Sequence, residues 1–182
     1  MNLVVTVETD NGNVYVHSNP LRKEAYKENF LALSKTYAAI FGQGLSIIAG
    51  PRAAYFMLEA VCKQSDSWEG ARGVKNTLVR EIIRNSTAIL PAEGKGWEEM
   101  PLDVAIERNL IDEDEVLGEL VFFMCVSAVN KRSQIAEVMT EASSIWGNAY
   151  TSQTATDWIK SLPTLTSDAS TGESQTALSV PS

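Results

Sequence analysis

The feature that most constrains this fold is a stretch from Glu113 to Asn130 that is apolar on almost every side of a predicted helix. Its second part, LVFFMCVSAV from Leu120 to Val129, contains no charged residue. A helix without a polar side is stable in water when other elements surround it. The run has about half of the roughly 20 residues that a membrane span requires. We therefore predict the central helix of one compact domain, which 182 residues are enough to form.

An acidic run precedes this helix and allows two interpretations. Asp112 stands directly before the apolar stretch and Glu115 follows three residues later, which is the spacing of a capping box. Carboxylates are also favoured at the positive end of a helix dipole. Alternatively, Asp112, Asp114 and Glu115 could bind a divalent cation, because hard cations prefer carboxylate oxygens. The central Gly and final Glu of an EF-hand loop are missing, so we favour capping and expect no metal or other cofactor.

The acidic run is part of a wider imbalance of charge. Between Glu93 and Glu119 there are ten acidic residues and two basic ones, a local net charge of -8 that equals the net charge of the whole chain. The rest of the chain has 13 acidic and 13 basic residues. Binding to nucleic acid requires a local excess of Lys and Arg, so this class of partner is not expected. A basic protein partner would be steered toward this segment.

Two pairs of β-prone runs predict hairpins. The first surrounds Asp10 to Asn13, where Asn-Gly favours the positive φ angles of a tight turn. The second surrounds a turn from Pro91 to Gly96, in the sequence NSTAILPAEGKGWEEM. Gly94-Lys95 is followed by Gly96 rather than Ser or Thr, so it does not match a phosphate-binding loop.

The remaining periodic segments predict helices with one apolar side. Besides the central helix, six are expected: one that begins at Ser18-Asn19-Pro20 and runs to about Phe41, one from near Pro51, one after Trp68, one from Pro101 to Asn109, one from Ser133 to Trp146, and one from Ser152 to Leu162. The predicted fold is mainly α: a compact helical domain with an N-terminal β-hairpin and a small second hairpin. This domain covers residues 1–163. Residues 164–182 are rich in Ser and Thr and lack aromatic residues, which predicts a flexible tail.

Few residues suggest catalysis. His17 is the sole histidine, and its place between a strand and a helix start favours a structural hydrogen bond over a catalytic role. The tryptophans lie near the ends of predicted elements, where they more often anchor a core than stack on sugars or bases. Cys62 and Cys125 lie in apolar helical patterns without ligand spacing, which favours reduced buried thiols and a cytosolic protein. The segment MNLVVTVETD has no signal-peptide pattern, and we predict no enzyme activity.

The order of these segments resembles the tail assembly chaperones of long-tailed bacteriophages. The resemblance covers about Asn13 to Thr164 and rests on segment order and on phrases such as GW…PLDVAI…LIDEDE, rather than on a catalytic signature. It implies a non-enzymatic, mainly helical protein of the infected host's cytoplasm. Proteins of this family bind the tape measure protein, keep its apolar helices soluble and help to recruit tail tube subunits. Many phages also make a longer form by ribosomal frameshifting, for which residues after Thr164 would be a suitable linker.

A holding chaperone needs accessible apolar surface beside polar residues that keep it soluble. Candidate partner-binding residues come from the acidic segment and from the helices that begin near Pro51 and Ser133: Glu98, Glu99, Met57, Leu58, Ile135 and Met139. The predicted partners are the tape measure protein and the tail tube protein, with possible homo-oligomers and no membrane contact.

Three other functions remain open at this point. The chain could be a tail or tail-completion subunit that stays in the virion. It could also be an acidic inhibitor that neutralises a basic partner through Glu93 to Glu119. An enzyme with a pair of carboxylates across a cleft is the third, although no spacing in the sequence selects such a pair.

Overall fold

The fold is described from a computed structural model, for residues 1–9, 12–92, 94 and 96–163. These residues form five strands, seven α-helices and one π-helical turn. In chain order they are β1 (Asn2–Thr9), β2 (Gly12–Ser18), α1 (Lys23–Gly42), α2 (Ser46–Gln64), the π-helical turn (Lys75–Val79), α3 (Arg80–Arg84), β3 (Ser86–Ala92), β4 (Gly96–Pro101), α4 (Leu102–Glu107), α5 (Glu113–Val129), α6 (Arg132–Trp146), β5 (Ala149–Thr151) and α7 (Ala155–Ser161).

The five strands form one antiparallel sheet in the order β4-β3-β2-β1-β5. Both predicted hairpins are present, as β1 with β2 and β3 with β4. They are joined because β2 pairs with β3, with Val16 opposite Ala88 and Ser18 opposite Ser86. The short strand β5 adds to the outer edge of β1.

The prediction of a mainly α fold with two small hairpins is therefore wrong, and the protein has a mixed α/β fold. Ser18 shows the physical reason. It was expected to start a helix, but it ends β2, is fully buried, and its hydroxyl accepts a hydrogen bond of 2.9 Å from the Ser86 hydroxyl. This contact joins residues 68 positions apart, and the start of α1 moves to Lys23 as a result.

The helix α5 is the centre of the core, as its composition predicted. Every residue from Val116 to Val126 is buried, and α5 packs against α1, α2, α6 and β1. The sheet presents Leu3, Val5, Val7 and Val16 to the same core. A helix that is apolar all round is thus enclosed by helices on some sides and by a sheet on another.

The approach of α2 to α5 depends on Gly118. A Cβ atom at this position would lie 2.6 Å from the backbone oxygen of Pro51, which is far inside normal contact distance. The two helix backbones therefore meet at a point where one of them has no side chain. Pro51 lies inside α2, which begins at Ser46 rather than near Pro51 as the sequence suggested.

Pro51 also shapes the contact between α2 and α6. Proline has no N–H, so it cannot bond to the carbonyl of Ile47 four residues earlier. The indole Nε1–H of Trp146, at the end of α6, donates to this carbonyl oxygen at 3.3 Å. The helix α6 itself begins at Arg132, so Ser133 is not its cap; the Gln134 side chain instead accepts from the Lys131 N–H at 3.1 Å.

The second face of the sheet is covered by the C-terminal segment that contains α7. Trp158 of α7 packs its ring against Tyr15, which also contacts Trp97. Beneath this aromatic cluster, Val4 and Ile89 are fully buried. No residue of α7 is itself buried, so this cover is held mainly by one tryptophan and by polar contacts at its edges. The predicted tail, residues 164–182, lies outside the described residues, as do parts of both predicted hairpin turns.

Candidate functional site

The acidic segment is divided among several structural positions. Asp112 is the N-cap of α5, and its carboxylate accepts from the Glu115 N–H at 3.1 Å. The capping prediction is confirmed in this respect. Glu98 and Glu99 lie on β4 and are exposed, with the Glu99 carboxylate accepting from the Thr156 hydroxyl at 2.9 Å. Asp112 therefore lies apart from Glu98 and Glu99, whereas Asp103, Glu107 and Glu113 line one groove. Within the described residues, no three potential ligands group as a metal centre.

Among the described acidic residues of this segment, Glu119 is the buried one, with 7% of its surface exposed. Burial raises the pKa of Glu119 to about 7. The hydrogen bond that its carboxylate accepts from the Asn148 side chain, together with the charge of Arg52, opposes this rise, whereas the charge of Glu115 adds to it. Buried carboxyls with raised pKa values often mark active sites, so this residue is the clearest catalytic candidate in the chain.

The surroundings of Glu119 argue for a structural role. The space beside its carboxyl is about 10 Å³, and its lining includes Phe122, Met139, Ser143 and Asn148. This volume is about that of one water molecule and too small for a substrate. Asn148 also accepts from the Thr6 N–H at 2.9 Å. Glu119 therefore links α5, through Asn148, to the sheet.

The clearest candidate for a binding surface is the side of α2 that faces away from the core. Its inner side is buried at Ala54, Leu58 and Cys62. A second set of apolar residues recurs at helical spacing on the opposite side and is partly or fully exposed; we call it the outer stripe, and it consists of Ala49, Ala53, Phe56 and Ala60. Phe56 is 50% exposed. The helix α2 is thus apolar on two sides, of which the fold covers one.

The neighbouring helix α1 carries further exposed apolar residues. Leu31 is 66% exposed and Phe30 is 50% exposed, and α1 packs along α2. Such residues are ordinary when they occur singly, whereas a contiguous exposed apolar patch marks an interaction site. The α1–α2 pair therefore exposes several large apolar side chains, which makes it the clearest candidate for such a site.

The sequence-predicted partner residues occupy different environments. Leu58 and Met139 lie in the core, whereas Met57 and Ile135 are half-buried and pack against it. Glu98 and Glu99 are exposed on β4. The structure does not bring these six residues together. Sequence periodicity selected Met57 and Leu58 on the inner side of α2, whereas Phe56 lies on its outer side.

A groove of about 430 Å³ forms a second distinct feature, between the π-helical turn with α3 on one side and α4 on the other. Its apolar lining comes from Val79, Ile83 and Ile106, and Tyr55 of α2 and Glu113 of α5 complete it. Burial raises the pKa of Tyr55 to about 12, with further contributions from the negative charges of Glu113, Glu59 and Asp114. The phenol therefore stays protonated at neutral pH.

The described residues that line the groove include no Ser, Thr, Cys or His, so no Ser-His or Cys-His arrangement lies there. Its ionisable side chains are those of Tyr55, Lys75, Arg80, Arg84, Asp103, Glu107 and Glu113. His17 lies on the other face of the sheet, where its Nε2 is 3.0 Å from the backbone oxygen of Gln153. The two cysteines are free and buried, and burial raises the pKa of both thiols, which makes them poor nucleophiles.

No family model, no curated protein and no solved structure matches the chain. None of the described helices combines the length and apolar character that a bilayer crossing demands.

Proposed function

We propose that this protein is a phage tail assembly chaperone that binds the tape measure protein in the host cytoplasm and helps to recruit tail tube subunits, without catalysis. The observation that supports this proposal most directly is the outer stripe of α2, together with Phe30 and Leu31 of α1. An apolar surface on a helix pair is the kind of surface on which an amphipathic partner helix can bury its own apolar side. The resemblance in segment order supplies the identity of the partner.

Charge supports the same proposal. Arg52 and Lys63 are exposed on α2, and the chain as a whole is acidic, so the apolar residues lie on a well-solvated surface. A chaperone of this type has to hold an insoluble partner without precipitating itself, and a net charge far from zero favours solubility.

The proposal is tested by co-expression with a fragment of the tape measure protein from the same genome. We expect the fragment to become soluble and to co-purify with the full chain. Substituting Phe56→Lys together with Leu31→Lys places two charges on the apolar surface and should reduce co-purification at least about tenfold, because a buried unpaired charge is costly at an interface.

The matched control is Leu110→Lys, which makes a similar change at an apolar residue that is 42% exposed and lies between α4 and α5, outside the stripe. This variant should retain the fragment, and thermal unfolding should show that all variants are folded. A fragment that stays insoluble beside the wild-type chain would refute the proposed function.

A further inference from the structure

The groove between α3 and α4 separates charges by sign. Arg80 and Arg84 lie one helical turn apart on the α3 wall, with Lys75 on the preceding π-helical turn. Asp103 and Glu107 lie one turn apart on the α4 wall. Like charges four residues apart in a helix repel each other by a few tenths of a kcal/mol. Asp103 also accepts from the Val104 N–H at 2.8 Å, so this carboxylate has a structural contact at the start of α4 besides lining the groove.

These opposite charges do not neutralise one another. Among the described residues there are three ion pairs, Lys63–Glu59, Lys75–Glu69 and Lys160–Asp157, and none of them crosses the groove. Arg80, Arg84, Asp103 and Glu107 are all exposed. Within the described part of the chain, no ion pair within 4.0 Å joins the cationic wall to the anionic wall, and the residues of both walls line space that a ligand can enter.

The base of the groove has a different character. Val79 is 3% exposed, and Ile83 and Ile106 are half-buried. Val79 is also the last residue of the π-helical turn Lys75–Val79, and this rare conformation often occurs at functional sites. A ligand that fits this groove therefore needs an apolar group in the middle, negative groups toward the arginines and positive groups toward the carboxylates.

We propose that this groove binds a helical peptide segment of the partner protein, in which an apolar residue is flanked by an acidic pair on one side and a basic pair on the other. Residues four apart on a helix lie about 6 Å from each other, so an acidic pair at this spacing matches Arg80 and Arg84, and a basic pair matches Asp103 and Glu107. A volume of about 430 Å³ lies within the range of ligand-binding clefts and accepts the side chains of about one helical turn.

The origin of the peptide, a helical segment of the tape measure protein, rests on the proposed function. The first test uses a designed peptide and does not depend on that function. The probe is a fluorescent alanine-based peptide of about 20 residues, long enough to be helical in water. The peptide carries one central Leu. A Glu pair at four-residue spacing flanks this Leu on one side of the helix surface, and a Lys pair at the same spacing flanks it on the other. Fluorescence anisotropy with the full chain measures its Kd.

We expect saturable binding that weakens as salt is added, because the charges at the rim are screened. Arg80→Glu with Arg84→Glu should raise the Kd at least about tenfold. A second peptide, in which the Glu pair is replaced by Lys, should recover binding to this variant but not to the wild-type protein. This charge exchange distinguishes a direct contact from loss of structure, and thermal unfolding of the variant provides a further check.

The matched control is Lys23→Glu with Lys27→Glu, which makes the same charge change at two exposed residues four apart on α1. This control should bind the peptide as the wild-type protein does. No saturable binding below about 1 mM, or an equal loss in both charge variants, would overturn the proposal.

The tape measure fragment separates this inference from the proposed function. If the fragment co-purifies equally with the wild-type chain and with the Arg80→Glu, Arg84→Glu variant, the groove is not a contact site for that partner and the inference fails, whereas the proposed function stands. If the peptide binds in the groove but the fragment never binds the chain, the proposed function fails and the groove remains a peptide site.

Discussion

The contact of α2 with α5 and the contact of α7 with the sheet show two ways of holding an element. At the first, Gly118 lets two backbones meet, and residues on both helices are completely buried. At the second, α7 has no buried residue and is held through Trp158, the bond from Thr156 to Glu99, and the bond from the Trp97 indole to the Pro163 carbonyl at 3.0 Å. The first contact should fail together with the whole fold, and the second should open independently.

The largest expected effect comes from adding a side chain at the close contact. Gly118→Val adds a branched side chain at a position where a Cβ atom alone would lie 2.6 Å from the backbone oxygen of Pro51. A backbone atom cannot move aside by rotation as a flexible side chain can. Overpacking of a core costs about 1 to 3 kcal/mol and sometimes more. We expect the free energy of unfolding to fall by at least about 3 kcal/mol in urea titrations. Gly42→Val, where nothing lies within 4 Å of the added Cβ, is the control; an equal loss in both variants would remove the close contact from the explanation.

The next effect is a dependence of the free energy of unfolding on pH. It is caused by Glu119, which follows Gly118 in α5. Its pKa is about 7 in the folded protein and close to the ordinary value of 4.5 when the chain is unfolded. Between these values the folded state holds a proton that the unfolded state releases. The stabilisation is therefore complete below pH 4.5 and is lost as the pH rises through 7.

The expected size is about 1.4 kcal/mol per unit of pKa difference, or roughly 3 kcal/mol over the full window. Urea unfolding at pH 5 and pH 8 should show this loss in the wild-type chain and a smaller one in Glu119→Gln, whose amide stays neutral. The same change at the exposed Glu98 should leave the wild-type profile intact. Identical profiles for wild type and Glu119→Gln would show that this carboxyl is not held protonated.

A smaller and local effect is expected at α7. Trp158→Ala removes the ring that packs on Tyr15 at a centroid distance of 6.2 Å, an aromatic contact worth about 1 kcal/mol. Hydrogen exchange should accelerate from Ala155 to Ser161 while α5 keeps its protection. Thr156→Ala, which removes the bond to Glu99 but keeps the ring, serves as the comparison and should change exchange less. Loss of protection throughout the chain would mean that α7 is part of the cooperative core.

The smallest effect concerns the cap of α5. Asp112→Ala removes the acceptor of the Glu115 N–H and should lower the free energy of unfolding by about 1 kcal/mol. Asp114→Ala, in the first turn of the same helix, removes a charge but no capping bond, so it isolates the contribution of the hydrogen bond. If the two variants lose the same stability, the charge near the helix end explains the effect and the cap does not.

Local features of this fold were predictable from the sequence, and the non-local ones were not. The composition of α5, its acidic start at Asp112 and both hairpins depend on nearby residues, and the structure agrees with them. The pairing of β2 with β3 and the addition of β5 to β1 join segments that are distant in the sequence. No local sequence pattern therefore predicted the five-stranded sheet. β5 spans three residues, too few to show an alternating pattern.

The same limit applies to the candidate site. Periodicity placed Met57 and Leu58 on one apolar side of α2, and the structure packs that side against the core, so the pattern did not single out Phe56 on the opposite side. The groove was not predictable at all, because Arg80 and Asp103 are brought opposite each other by the hairpin between them. In the sequence, these residues appear as ordinary solvated charges.

The proline inside α2 affects the position of α6. Because Pro51 has no N–H, the Ile47 carbonyl lacks its usual partner within the helix, and the indole of Trp146 donates to that oxygen instead. Hydrophobic contact has no preferred direction, so it tolerates small shifts of one helix along another. The hydrogen bond tolerates less, because the indole N–H has to meet the Ile47 oxygen at one distance and angle. The irregularity in one helix thus sets the register of another helix that follows it by almost a hundred residues.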